Sequence, residues 1–236
     1  MSKAFEELDW QKTPIGEVSL RRRRALTLDV DVFEVKLGDE FLMSSLFTAA
    51  EIELARLGLA PLQSDDLDVV VGGLGLGYTA AAALEDARIN SLMVIEALGP
   101  VIDWHRRGLL PVSERLCADE RCTLVQDDFF TWARTGGADA SAQRYHAILL
   151  DIDHTPHALL HPSHAAFYSE AGLSQMAQHL HPGGVFALWS DAAPDDDFMA
   201  MLGAVFEKPQ AHVVRFANPL RGGESTNTVY VARTKA

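Results

Sequence analysis

Two kinds of residue in this chain sit where chemistry could use them. The first is a glycine run, LDVVVGGLGLGYT from Leu67 to Thr79, with Gly72, Gly73, Gly75 and Gly77 between an apolar, strand-prone segment and an Ala-rich helical one. A strand, glycine turn and helix in that order let backbone N–H groups approach a ligand closely, with no Cβ in the way, at the positive end of a helix. A polar or anionic ligand such as a nucleotide is expected there. The second kind is acidic: Glu96, Asp127-Asp128, Asp151 with Asp153 and His154, and Ser190-Asp191 each follow a short apolar run. Acids are depleted within strands, so a row of them at strand ends points to a carboxylate-lined cleft.

The spacing narrows the nucleotide. From Gly73 the pattern is G-x-G-x-G, whereas a dinucleotide fingerprint places its third glycine where this chain has Tyr78. Nicotinamide and flavin dinucleotides are therefore disfavoured. Glu96 ends the second strand-prone run and stands where such folds put a carboxylate on ribose hydroxyls. Asp127 and Asp128 either accept from an adenine amino group or cap the helix that follows. Asp151, Asp153 and His154 would face the reacting part of the substrate, where a carboxylate can bind an ammonium, orient a nucleophilic amine or take its proton. Histidines 154, 157, 161 and 164 are competent metal ligands, but Pro156 and Pro162 interrupt the stretch, so no pair is assured of lying on one helical face. We read it as a lid or substrate loop whose histidines serve as bases, with no metal expected.

The elements that must position these residues alternate. Strands are expected at 67–71, 91–95, 122–126, 145–150 and 184–189, and helices near 78–87, 99–107, 128–135, 164–180 and 195–206, the pattern of a parallel sheet with helices on both faces. Ala211 to Phe216 and Thr228 to Ala232 are joined too tightly for a crossover helix and should pair antiparallel. That architecture is α/β, the Rossmann-like class I methyltransferase fold: a mostly parallel seven-stranded sheet with a C-terminal antiparallel hairpin. Before it, residues 1–14 read as an arm. Ile15–Leu20, Ala25–Leu37 and Glu40–Met43 read as a small β-hairpin region turning at Gly38-Asp39, and a helix from about Leu46 to Leu57 is capped by Ser44 or Ser45 and closed by Gly58. Arg21 to Arg24 lie between strand segments, either gripping a phosphate or carboxylate or forming a solvated turn or subunit contact. The division is residues 1–60 for the hairpin region with its linking helix and 61–236 for the nucleotide-binding catalytic domain.

Composition sets the outer bounds. The 236 residues carry 33 acidic against 20 basic side chains, a net charge of −13. That field repels nucleic acid and favours a cationic small molecule. Mean hydropathy is +0.02 and 48% of residues are hydrophobic, as in ordinary globular proteins. The two cysteines, Cys117 and Cys122, lack the histidine neighbours of a zinc site. With no signal peptide or long apolar run, a cytoplasmic protein with no membrane partner and reduced thiols is expected.

The glycine loop, VIEALGPVIDWHR, LVQDDFF, AILLDIDHTP and FYSEAGLSQMAQHLHPGGVFALWSD follow in the order and spacing of the spermidine and spermine synthases, so that the chain resembles a divergent bacterial member of that family. The resemblance is good from about Val69 to Asp191. It implies a methyltransferase fold after a small β domain, a homodimer, and aminopropyl transfer from decarboxylated S-adenosylmethionine, as co-substrate, to a small-molecule amine. By the same resemblance Glu96 holds the ribose, Asp128 contacts the adenine, and Asp151 orients and deprotonates the attacking amine. The chain departs from the family at three places: the loop GGLGLG has no aspartate, position 154 is His instead of a second aspartate, and Ala49-Ala50-Glu51 replaces a Tyr-His-Glu element. Two alternatives stand beside this reading: a methyltransferase using intact S-adenosylmethionine on a small molecule, and a nucleotide-binding module without catalysis.

Overall fold

The computed structural model describes residues 4–136 and 143–235; the first three residues of the expected arm lie outside them. The central element is β5 (Leu67–Gly72), flanked on one side by β6 (Ile89–Glu96) and β7 (Cys122–Gln126) and on the other by β8 (Tyr145–Leu150) and β9 (Leu180–Ser190), all parallel. β10 (Glu207–Ala217) and β11 (Glu224–Arg233) complete a seven-stranded sheet in the order β10-β11-β9-β8-β5-β6-β7, and both of their pairings are antiparallel. The expected fold class is therefore the observed one. Strand order reverses between β5 and β8, and their carboxyl ends open the crevice in which such sheets hold ligands.

Strands of this sheet read as continuous apolar runs because both faces are covered. Along β5, Val69 and Val71 join one core and Val70 the other; along β8, Ala147 and Leu149 oppose Ile148 and Leu150 in the same way. The first core is closed by α1 (Ala49–Leu59), α2 (Tyr78–Ala83), α3 (Gly99–Arg106) and α4 (Ser113–Ala118). The second is closed by α5 (Phe129–Thr135), α6 (Glu170–Ala177) and α7 (Asp196–Val205). Among the described residues no helix is long and apolar enough to cross a membrane.

The N-terminal region differs from expectation in several respects. Residues expected as an arm form β1 (Phe5–Thr13), the edge of an antiparallel sheet with β2 (Gly16–Ala25), β3 (Val30–Leu37) and β4 (Glu40–Ser44). The four arginines lie inside β2 and not between strands. Alternate side chains point to opposite faces, and each finds an acid on a neighbouring segment: Arg21 with Glu7 at 3.8 Å, Arg22 with Glu6 at 2.7 Å, Arg23 with Glu34 at 2.6 Å, and Arg24 with Asp31 at 3.2 Å. The inner face, with Val18, Leu20 and Val35, merges into the first core, and the Trp104 indole N–H donates to Asp9 at 2.6 Å across the junction.

Helix boundaries moved where local hydrogen bonds outweighed periodicity. α1 starts at Ala49, because Ser44 Oγ accepts from the Leu46 N–H and Ser45 Oγ from the Phe33 N–H, so neither serine caps it. Gly58 lies within α1 rather than closing it. A Cβ there would come within 2.5 Å of Leu149 Cδ2 and 3.1 Å of Ala187, so glycine is what allows α1 to lie flat on β8 and β9. The single helix expected over 164–180 is a 3-10 turn, Pro162–Ala166, followed by α6, whose Ser169 side chain accepts from the Gly172 N–H at 3.1 Å. α2 ends at Ala83, earlier than expected, and α4 was not anticipated.

Candidate active site

The glycine loop leaves β5 by a path that only glycine tolerates. Gly73, Gly75 and Gly77 have φ of +93°, +47° and +88°, and a Cβ on Gly73 would run into the Asp151 carbonyl oxygen. The N–H groups of Gly73, Leu74, Gly75 and Gly77 are already engaged. Leu74 and Gly75 donate to one oxygen of Glu96 at 3.0 and 3.4 Å, and Leu98 donates to the other at 2.8 Å. Burial raises the Glu96 pKa, and these backbone bonds oppose the rise. Glu96 thus ties the loop to the end of β6, its carboxylate lying against the N–H groups that an anionic ligand would need. Of the polar or anionic ligand expected there, the anionic alternative is corrected.

Asp151, immediately after β8, is locked in the crevice. Its N–H donates to the Gly72 carbonyl at 2.8 Å, and its Oδ2 accepts from Thr79 Oγ1 at 2.7 Å. The Thr79 hydroxyl also lies 3.2 Å from the backbone carbonyl of Glu51, in the first turn of α1. Burial pushes the Asp151 carboxyl up to about 6; burial, together with the neighbouring Asp151 charge, pushes Glu51 up to about 8. Two carboxylates that close in a low-dielectric pocket do not both ionise readily, so the pair holds one proton near neutrality. Tyr78, raised by burial and then by the Glu51 charge, adjoins them.

Around this pair lies a cleft of about 340 Å³. Its floor is Leu74 to Tyr78 of the glycine loop with Asp151 and Ile152; its roof is Leu42, Met43 and Ser44 at the end of β4; its far wall is Phe47, Leu160, Trp189 and the β10–β11 hairpin from Phe216 to Asn227. A Cβ at Gly75 would come within 2.7 Å of the Met43 sulfur, so roof and floor touch. The acids of the lining are Glu51, Asp151 and Asp191, and among the described residues no Lys or Arg borders it, a balance that suits a cation.

No family model matches the chain. Over 125 residues it is 30% identical to a polyamine aminopropyltransferase of Corynebacterium efficiens, a match that takes in 53% of this chain and 22% of that protein. The matched stretch therefore spans about a fifth of the length of that curated relative. The crystal structure of spermidine synthase from Thermotoga maritima aligns over 96% of this chain and 72% of its own, with a TM-score of 0.74 at 16% identity. The chain has the spermidine synthase fold. A spermidine synthase in complex with the transition state analogue AdoDATO aligns over the same shares with a TM-score of 0.72 at 16% identity. Human methyltransferase-like protein 13 in complex with SAH aligns over 78% of this chain and 82% of its own, with a TM-score of 0.57 at 20% identity.

On this spermidine synthase fold the residues singled out in the sequence separate. Gly75, Gly77, Asp151 and His154 line the cleft, with Gly72, Gly73 and Glu96 directly behind it. Asp127 and Asp128 lie beyond Glu96 at the end of β7: Asp127 Oδ1 accepts from the Asp128 N–H at 2.8 Å, and Asp128 caps α5 by accepting from Thr131 N–H at 2.6 Å. Of the two readings left open for Asp128, the cap is present. Asp153 does not face the cleft. It is buried, one oxygen taking the Leu160 N–H at 2.7 Å and His164 Nδ1 at 2.8 Å, the other the Tyr168 hydroxyl at 3.0 Å. Its place is to fold the segment after β8, and its candidacy as a group facing the substrate is corrected. The four histidines of that segment are dispersed over separate partners: Glu40, Asp195, Ser163 and Asp153. Among the described residues no three His, Cys, Asp or Glu side chains form a group that could hold a metal ion.

Sequence reasoning missed the roof and the far wall. The roof follows from β4 ending over the glycine loop, and the wall from an antiparallel hairpin whose turn projects past the carboxyl ends of the parallel strands. Glu51 registered in the sequence only as a departure from a family element. Its signal was an acid in the first turn of a helix whose one face packs into the core.

Proposed function

We propose that the cleft binds an S-adenosylmethionine-type sulfonium nucleotide and passes an alkyl group, aminopropyl by likeness to its relatives, to a small-molecule amine. The observation that carries this reading is the half-buried Glu51–Asp151 pair set against the glycine loop at the switch point of the sheet. Glu96 would hold the ribose hydroxyls, Gly72 to Gly77 would let the nucleoside lie against backbone, and Asp127 or the free oxygen of Asp128 would meet the adenine amino group. Asp151 would orient the amine and accept its proton, with Thr79 fixing the carboxylate and His154 bordering the acceptor's path. A carboxyl group raised toward neutrality suits both tasks. The amine lone pair forms a bond to the carbon beside the sulfonium sulfur as the carbon–sulfur bond breaks. The bonding pair stays with sulfur, which leaves as a neutral thioether, and the new ammonium releases a proton to Asp151. Positive charge moves from sulfur to nitrogen, toward the carboxylates, so the pair stabilises the transition state more than the ground state.

One observation favours methyl transfer as a second reading. The loop from Leu74 to Gly77 carries no acid to grip the ammonium of a decarboxylated donor. Calorimetric titration with S-adenosylmethionine, its decarboxylated form and 5′-methylthioadenosine separates the readings. Tighter binding of the decarboxylated donor supports aminopropyl transfer and a role in polyamine biosynthesis, preference for the intact donor moves the assignment to methyl transfer, and binding without turnover on any amine leaves a nucleotide-binding module. We further propose a cytoplasmic homodimer, without nucleic acid, membrane or metal, that divides near residue 60 into a roofing sheet and a catalytic unit.

A further inference from the structure

Charge in the cleft is distributed unevenly along its length. At the end where the glycine loop meets β8, Glu51 and Asp151 are half-buried, the Asp151 carboxylate held by the Thr79 hydroxyl, and they suit one ammonium group. Moving away from them, the wall becomes aromatic. Phe47 and Phe216 lie with ring centroids 6.0 Å apart at an interplanar angle of 52°, and Trp189 and Leu160 continue the same surface.

A linear diamine would bring a second ammonium to that far end and needs an anion there. Asp191 is the further acid of the lining, and it is exposed, so an ion pair with it contributes little. Glu40, also exposed, is already engaged by His154 at 3.1 Å. The Asn218 side chain is engaged within the hairpin, its amide donating to Ser225 Oγ at 2.8 Å and its oxygen accepting from the Leu220 and Arg221 N–H groups. Ser225, Thr226 and Asn227 are uncharged. Aromatic faces attract cations, but the same faces take a hydrocarbon without stripping water from a charge.

Resting on the aminopropyl or methyl transfer reading above, we infer that the acceptor is a monoamine with an apolar or aromatic tail, its single nitrogen at the Glu51–Asp151 end and its tail along Phe47, Phe216 and Trp189. The amine is thereby directed nitrogen-first toward the sulfonium carbon, and the tail supplies the affinity that a diamine draws from a second charge.

The test is calorimetric titration at pH 8 of the protein saturated with 5′-methylthioadenosine, using 2-phenylethylamine, n-propylamine and 1,4-diaminobutane. The expected result is 2-phenylethylamine binding about tenfold or more tighter than 1,4-diaminobutane, as burial of one aromatic ring provides. Phe216→Ala should weaken 2-phenylethylamine about tenfold and leave n-propylamine unchanged within about twofold. Phe47→Leu, on the other side of the ring pair, should move the same preference, so the outcome does not depend on one variant folding. Tighter binding of 1,4-diaminobutane, or a preference indifferent to both ring substitutions, overturns the inference and leaves the transferase reading standing. Failure of 5′-methylthioadenosine itself to bind overturns both.

Discussion

Replacing Glu51 with Gln should make the protein more stable in alkali and hardly change it in acid. Both carboxyls of the Glu51–Asp151 pair have folded-state pKa values above their ordinary ones, Glu51 rising from 4.5 to about 8 and Asp151 from 3.8 to about 6. The folded state therefore binds more protons than the unfolded chain between about pH 4 and pH 8, and stability falls as pH rises through that window. At about 1.4 kcal/mol per pKa unit, the Glu51 shift sets an upper limit of roughly 5 kcal/mol. Water entering the open cleft screens part of that, leaving about 2 kcal/mol. Gln keeps the shape of protonated Glu and cannot ionise, so the variant should match the parent within about 1 kcal/mol at pH 5 and exceed it by about 2 kcal/mol at pH 9. Urea unfolding of both proteins at pH 5, 7 and 9 measures this, and groups that titrate elsewhere cancel in the difference. Because Glu51 is still protonated where Asp151 ionises, and burial is what raises Asp151, the acid limb of any activity profile should stay in place in the variant. Stability profiles that run parallel from pH 5 to pH 9 would refute the shared-proton account.

Asp151→Asn should lower turnover by about 10²–10⁴-fold and leave 5′-methylthioadenosine affinity within about twofold, read by steady-state kinetics beside calorimetry; undiminished turnover would remove Asp151 from the reaction. Gly73→Ala must adopt a positive φ and push against the Asp151 carbonyl, so it should cost about 3 kcal/mol in urea and abolish nucleoside binding. Asp153→Ala leaves the Leu160 N–H, His164 and the Tyr168 hydroxyl without their acceptor, so stability should fall by about 2–4 kcal/mol and limited proteolysis should cut between residues 154 and 164. Trp104→Phe, which loses the bond to Asp9, should cost about 1 kcal/mol in a thermal melt with no change in nucleoside affinity.

What could be read from the sequence was what local chemistry dictates. Val69 to Val71 and Ala147 to Leu150 announce strands buried on both faces, and the glycines after β5 announce a turn that no other residue could make. Features that depended on distant partners were hidden. Asp151 and Asp153 look equivalent in the sequence, but in an extended segment residues two apart point the same way only if the strand continues, and β8 stops at Leu150. The chain then turns, and Asp153 is drawn inward by His164 and Tyr168. Arg21 to Arg24 looked like a turn because their acids lie elsewhere in sequence, at Glu6, Glu7, Asp31 and Glu34. Ser44 and Ser45 had the composition of a helix cap, yet backbone N–H groups at the end of the small sheet claimed them first.

The cleft borders on Leu42 at one side and Asn227 at the other, with its floor contributed from points between. Contacts spanning that much chain are the slowest to form, since long loops must close before anything rewards them. The glycine turn can take shape early, but the place it serves is finished only when the last hairpin docks. A small molecule seated there would act as a rivet between the first and last parts of the chain to arrive, raising the melting temperature in proportion to the logarithm of its concentration. Cleaving the β10–β11 turn should then abolish that stabilisation while the parallel strands stay folded, making ligand-induced thermal shift a gauge of whether the molecule is complete.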